Sequence, residues 1–362
     1  MPEFDFQPIP QTSLAEPSGI SDSTREYLQQ AYRPNTVRAY KTGQGQWEAH
    51  AEENRLTAYP AAPSDLANFL SARAKAGQSL STLRAVLAAV KAKHDAKGFA
   101  FDSRAPVLTK TLKGIGNATA RLPRQAAPLR AADVLDLIAN CEDTALGRRD
   151  AAAIALGYIF AARRSELVRI DLEEQGTGDA VLRIGVRSLE LILGQSKTTA
   201  NGEPEIVVIP RAENAVAVSA IERWIEAANV QPGEPLLRGV ASGGKIAPPV
   251  PEGRGGNKDR PWGGHMHAQS FATILKNRIA THHEKNGVSR ELARKDAERF
   301  SGHSLRVGFI TTAAEGGADV RAIAAVSRHR SLSMVQRYSA RADQLRTAPH
   351  RLPGVGLSGD KP

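Results

Sequence analysis

Apolar residues recur at helical spacing through most of this chain, and two stretches switch to alternation. From Ser21 to about Gly116 the pattern predicts helices throughout. A short segment covers Tyr27 to Tyr32, and Asn35 or Thr36 is placed to cap a helix reaching about Asn54. Ser64-Asp65 opens another helix with Leu66, Phe69 and Leu70 inward, and Gln78 to Lys97 carries Leu80, Leu83, Leu87 and Val90 on one stripe. Further on, Ala131 to Asn140 and the apolar run Asp150 to Phe160 predict two more helices. Ala180 to Val186, Leu189 to Leu193 and Glu205 to Ile209 read as strands, the last two flanking a polar loop (GQSKTTANGE) as a hairpin. Residues 213 to 228 form an amphipathic helix around Val216, Ile221 and Trp224, and Gln269 to Ile279 returns to helix. Three short helices close the pattern: one carrying Val307, Ile310, Ala313 and Ala314 and ended by Gly316-Gly317, one over Val320 to Ser327 capped by Asp319, and one after Ser331.

This division predicts two folded units, helical over 21–116 and mainly helical with a small antiparallel sheet over 129–345. Residues 1–20, rich in Pro, Ser and Gln, read as a flexible arm, 117–128 as a linker and 346–362 as a tail. The Gly/Pro-rich stretch 238–264 reads as a long loop. No run of eighteen apolar residues occurs, and the first residues lack a signal-peptide layout, so a soluble, cytoplasmic protein without a membrane is expected.

Charge changes the picture. The formal net charge is +10, and residues 21–125 hold sixteen Lys and Arg against eight Asp and Glu, so most of the excess lies in the first unit and its linker. A polyanionic partner is implied. Arg38, Lys41, Arg84, Lys91 and Lys93 are the positions placed toward nucleic acid, although an ordinary solvated helix face needs the same residues. Arg121 and Arg124, with Lys110 and Lys113 among Gly and Pro, suit a tether tracking a phosphate backbone. Cys141 is the only cysteine, which excludes an intrachain disulfide and a thiolate zinc cluster and leaves it a small core residue. His265, His267, His282 and His283 lack the helical i, i+4 spacing of a metal site and read as surface histidines; no metal or other cofactor is expected.

The candidate chemistry lies elsewhere. Arg163 and Arg164 stand at the end of a buried apolar run, with Glu166 the nearest partner, and a charge in that position is paired or used. His303 and Arg306, three apart on one helix, can reach one ligand. His329 and Tyr338 follow on the next two elements, and Lys197 lies near the hairpin tip.

Taken together, Arg163 in A-R-R-S-E-L, Lys197 on a hairpin, His303-x-x-Arg306 within S-G-H-S-x-R-V-G, His329 and Tyr338 resemble the tyrosine recombinase, or phage integrase, family, closest in layout to its Cre-type members. Arg306 precedes His329 by 23 residues and Tyr338 by 32, as in the family's terminal helices. The resemblance is sharp over 129–345 and looser over 21–116. It implies an all-α core-binding domain followed by the family's mainly α catalytic fold, and strand breakage and rejoining through a 3′-phosphotyrosyl intermediate without metal or ATP.

In that scheme Arg163 and Arg306 neutralise the phosphate, and Tyr338 attacks phosphorus. His303 accepts a proton or holds an oxygen, His329 donates a hydrogen bond, and Lys197 protonates the leaving 5′-oxygen. Glu166 orients Arg163 or His303 from outside the reacting set. The sequence departs from the family in having Ala161-Ala162 before the first arginine and Arg164 after it; the R-x-S-E-L register assigns Arg163 to the site. The resemblance also implies double-stranded DNA with inverted half-sites as partner, a homotetramer in the synapse, a nucleoid location when DNA is bound, and a tail that packs into a neighbour. A catalytically silent DNA-binding relative is the alternative.

Overall fold

A computed structural model describes Ser21, Ser23, Tyr27 and residues 34–119, 126–176, 178–194, 204–249, 264–329 and 331–346. The arm at 1–20, most of the short segment at 27–32, Lys197, Arg121, Arg124, most of the loop at 238–264 and the tail beyond Arg346 therefore lie outside the described residues. The chain divides by its contacts into 1–123 and 124–362.

In the first unit the described residues form four helices: α1 (Pro34–Glu53), α2 (Pro63–Lys75), α3 (Leu80–Ala96) and α4 (Pro106–Ala118). Proline opens α2 and α4, where its missing N–H costs no helical bond, and the Ser79 hydroxyl accepts from the Thr82 N–H to cap α3. Helix α4 continues two residues beyond the boundary expected at Gly116. The core is Trp47, Leu66, Phe69, Leu70, Leu83, Val86, Leu87, Val90 and Leu108, so the predicted stripe on α3 is buried except Leu80, which packs at its edge. Helix α1 approaches α3 closely at Gly43, where a β-carbon would lie 3.1 Å from the Ala89 methyl. Arg38, Lys41 and Arg84 are exposed, whereas Lys91 is held by Asp95 in an i, i+4 pair at 2.6 Å.

The second unit is built around α6 (Ala145–Ile159), which follows α5 (Ala131–Ala139). Residues 151–156 of α6 are buried on every side, because the alanines let neighbouring helices come close. After α6 come α7 (Arg164–Leu167) and a sheet of β1 (Ile170–Leu172), β2 (Ala180–Ile184), β3 (Ser188–Leu193) and β4 (Glu205–Pro210) in that spatial order. β2, β3 and β4 are antiparallel as expected, with Leu189 and Leu191 of β3 opposite inward-facing Ile209 and Val207 of β4. β1 pairs parallel to β2, making the sheet mixed; at three residues it is too short for periodicity to reveal.

A 3₁₀ turn (Ala212–Asn214) leads into α8 (Ala215–Ala228), whose buried face is Ala217, Val218, Ile221 and Trp224, while Val216 points to solvent. Helix α9 (Ala268–Lys285) runs six residues beyond its expected end. Helix α10 (Arg290–Ala297) was not expected: it buries only Ala293 and Ala297 among charged residues, and two methyl groups make no stripe. The three closing helices are α11 (Ser304–Glu315), α12 (Val320–Ser327) and α13 (Leu332–Arg346). Asp319 caps α12 by accepting from the Arg321 and Ala322 N–H groups, and Gly317 takes the left-handed turn after α11 with φ +80°. Among the described residues no helix is long and apolar enough to cross a membrane.

Candidate active site

The site is assembled where α6 stops. Ala161 adopts φ +44°, a left-handed conformation costing an L-residue about 1–2 kcal/mol, and this reverses the chain into α7. Arg163 is the N-cap of α7, and its backbone N–H donates to Glu166 Oε2 at 2.8 Å. Its guanidinium donates from Nη1 to Glu166 Oε1 at 2.5 Å and from Nη2 to the Arg328 carbonyl at 3.1 Å. The side chain keeps 35% of its surface open, so the guanidinium is fixed from behind and accessible in front. Arg164 turns the other way, is exposed and donates to Gln269 Oε1 at 3.3 Å.

Arg306 comes from the first turn of α11 and is 1% exposed. Nη1 donates to the Ala161 carbonyl at 2.8 Å, and Nη2 lies 3.4 Å from His329 Nδ1, at the margin of hydrogen bonding. Among the described residues no carboxylate forms an ion pair with it. Burial first, then the charges of Arg163 and Arg328, pull its guanidinium down to about 9, so it is still a cation at neutral pH.

His329 follows α12. The Ser327 hydroxyl donates to the Ile323 carbonyl at 2.6 Å and lies 2.8 Å from His329 Nδ1, so it is a lone pair of Ser327 that faces the ring. Nδ1 then carries the hydrogen and Nε2 is left for other use. Burial, then Arg306 and Arg163, push this imidazole down to about 4. His303, the N-cap of α11, is lowered by desolvation and by the same two arginines. The charges around this basin disfavour any further proton until an anion arrives.

Arg163 is paired with Glu166 and Arg306 approaches His329, the two pairs act on one another through their charges, and His303 lies within the field of both arginines. Tyr338 is on α13, half-buried, packed against the cluster of Ile310, Ala314, Ile323, Ala324 and Val335. No hydrogen bond among the described residues links it to the arginines. β3 and β4 flank the residues that carry Lys197.

Two participants escaped the sequence reading. Arg328 is 3% exposed and donates to Glu166 Oε2 at 2.8 Å, and Ser327 orients His329. The available signal was position: a basic residue directly after the last turn of a helix can satisfy its terminal carbonyls, and Arg328 Nη1 donates to the Val326 carbonyl at 3.0 Å. The histidine group is also corrected in part. His265 is buried, its Nε2 at 2.8 Å from Oδ1 of the buried Asp171, whose Oδ2 accepts from the Gly176 and Gly178 N–H groups. A buried partner far away in sequence makes this histidine a structural pin. Among the described residues no group of ligating side chains is arranged to hold a metal.

His329 has a consequence for stability. Its folded pKa, about 4, lies below the ordinary 6.5, so the unfolded chain takes up a proton first as pH falls. The stability the neutral ring contributes is complete above about 6.5 and lost as pH falls through about 4. His329→Gln should therefore lose less melting temperature between those limits than the wild type, as measured by thermal unfolding across pH. Parallel curves would show that the ring does not feel the arginines.

The model of the phage integrase family matches residues 128–344, and that of the phage integrase N-terminal SAM-like domain matches 25–97. An integrase/recombinase XerD homolog from Selenomonas ruminantium is 26% identical over 341 residues, covering 92% of this chain and 89% of the relative. Among solved structures, a Tn1549 transposon integrase in complex with transposon right-end DNA aligns with a TM-score of 0.53 at 15% identity, over 90% of this chain and 98% of its own. XerH site-specific recombinase bound to difH substrate in a pre-cleavage complex aligns with a TM-score of 0.53 at 15% identity, over 92% and 85%. With one family model covering residues 128–344, more than half of the chain, this protein belongs to the phage integrase family, the tyrosine recombinases.

Proposed function

We propose that this protein is a site-specific DNA recombinase that cleaves and rejoins DNA through a 3′-phosphotyrosyl bond at Tyr338. The observation that carries this reading is Arg306, a buried guanidinium that forms no ion pair with a carboxylate among the described residues and feels the charges of Arg163 and Arg328. A site so arranged stabilises a bound anion, and most strongly one whose charge grows during reaction.

The scissile phosphate would lie against the open face of Arg163 and the inner end of Arg306. Tyr338 attacks phosphorus, its proton passing to His303. Binding of the phosphate raises the pKa of His329, which then donates from Nε2 to a non-bridging oxygen. Lys197 protonates the departing 5′-oxygen. Attack by a 5′-hydroxyl on the phosphotyrosyl ester reverses the step and rejoins the strand, so the bond energy is kept and no ATP is consumed. The arginines supply the charge that a metal ion supplies in other phosphoryl transfers, so the proposed route uses none.

The partner in this reading is double-stranded DNA with inverted half-sites, held by a tetramer in the synapse. Arg38, Lys41, Arg84, Lys93, Arg121 and Arg124 are the phosphate contacts we assign outside the basin; Lys91 contributes only if it leaves Asp95. The related structures solved with DNA support this, as does the basic first unit. A cytoplasmic protein that joins the nucleoid when bound to DNA fits the same reading.

The test is a nicked duplex built from DNA selected for binding to the purified protein. The strand fragment beyond the cut diffuses away and traps the adduct. A complex resistant to denaturant, with the nucleotide on the peptide containing Tyr338, is expected. Tight binding with no adduct would reject the enzymatic reading in favour of a catalytically silent DNA-binding relative.

A further inference from the structure

Arg328 sits where an arginine is least expected. It follows α12 with φ +53°, a conformation that suits glycine or asparagine, and it is nevertheless buried. Nη1 donates to the Phe160 carbonyl at 2.9 Å and to the Val326 carbonyl at 3.0 Å, and Nη2 donates to Glu166 Oε2 at 2.8 Å. Nε lies 3.9 Å from Glu205 Oε2 on β4, and among the described residues neither atom has a hydrogen-bond partner. The Arg328 carbonyl in turn accepts from Arg163 Nη2. Arg163 is therefore tied to residue 328 twice, directly through the carbonyl and indirectly through Glu166.

The arrangement answers an electrostatic difficulty. Glu166 holds Arg163 by its backbone N–H and by Nη1, yet a lone carboxylate there would cancel the charge that the phosphate needs. A second cation on the other oxygen of the same carboxylate removes that cancellation. Three guanidiniums against Glu166 and Glu205 leave the basin more positive than Arg163 and Arg306 alone would with the same two carboxylates.

We propose that Arg328 is a positioning residue that balances the charge of Glu166 and holds Arg163 through its own carbonyl, leaving Arg163 free to act on the scissile phosphate. This rests on the recombinase reading above. Burial pushes the Glu166 carboxyl up, but the Arg328 charge and the Arg163 hydrogen bond outweigh it and hold the group below the usual range.

The first variant is Arg328→Gly, which suits the backbone conformation and leaves Glu166 unbalanced; Arg328→Asn does the same should glycine loosen the turn. Adduct formation on the nicked duplex is expected to slow about 10- to 100-fold, the usual effect of losing a group that orients a reacting one, with DNA affinity unchanged. Glu166→Gln slows the reaction when made alone, because Arg163 loses its anchor. Made in the Arg328→Gly background, it is expected to restore part of the lost rate by removing the unbalanced charge. Losses that simply add would overturn the proposal and leave Arg328 a packing residue.

A second measurement does not depend on cleavage. Titration of the carbon-13-labelled Glu166 carboxylate by NMR should show its pKa rising in Arg328→Gly and held in Arg328→Lys. An unmoved titration overturns the charge balance. If the wild type forms no adduct while the titration moves, the recombinase reading has failed and the pairing stands.

Discussion

Arg306→Met is expected to lower adduct formation by about 10³-fold while leaving the melting temperature of the catalytic unit unchanged or higher. The two halves of this expectation have one cause. Arg306 is 1% exposed; burial and the charges of Arg163 and Arg328 outweigh the favourable fields of Glu166 and Glu205, neither of which forms an ion pair with it among the described residues, and the histidine beside it is pushed to about 4. Among the described residues the hydrogen-bond acceptor of Arg306 is the Ala161 carbonyl, because the nearby His329 Nδ1 carries its hydrogen toward Ser327. Keeping a guanidinium in that position costs several kcal/mol of lost hydration, against which one carbonyl bond returns about 1–3 kcal/mol. Methionine fills a similar volume without charge, so the folded state gains or breaks even. In the proposed reaction the phosphate loses its most deeply placed donor. A variant that melted many degrees lower would make Arg306 a structural residue and remove the main support for the anion site. Calorimetry beside the adduct assay decides it.

Much of the frame that positions this arginine could be read from the chain. The closing helices carried their own boundaries, in Asp319 before α12 and Gly317 after α11, because caps act within a few residues of the backbone they satisfy. The alternation of β3 and β4 survived because one face of each packs on the core while the other meets solvent. Within the basin, the register R-x-S-E-L picked out Arg163, the arginine that touches Glu166 and Arg328, over its exposed neighbour Arg164.

What escaped has a common character. β1 is three residues long, and α10 offers two buried alanines among charges, so neither produces a pattern. Two further misses are polar groups whose burial depends on a partner remote in sequence: His265 on Asp171, and Arg328 on Glu166 and the Phe160 carbonyl. A hydrophobic side chain announces its burial by its neighbours in the helix or strand. A buried charge is revealed only when the distant group that compensates it is brought alongside.

Gly308→Ala is expected to do what Arg306→Met does not: destabilise the catalytic unit by about 4 kcal/mol and slow cleavage as a consequence. The residues before α5 run along α11 as a strap. The Leu129 N–H donates to the Ser304 carbonyl at 3.1 Å, the Ala131 N–H to Thr312 Oγ1 at 3.3 Å, and the Arg130 guanidinium pairs with Glu315 at 2.9 Å. Gly308 lies on the same face between these contacts, and a β-carbon there would fall 1.6 Å from the Leu129 carbonyl oxygen. No rotamer relieves a clash between two backbones. The strap must lift by more than an ångström, breaking its bonds to Ser304 and Thr312, or α11 must shift. In the second case Arg306, one half-turn away, moves off the proposed phosphate position, and a displacement of that size costs about 10²-fold in rate. Thermal unfolding should report a fall of about 10 °C. A loss below about 1 kcal/mol would mean that the strap does not bear on the helix, and that Gly308 is free to vary.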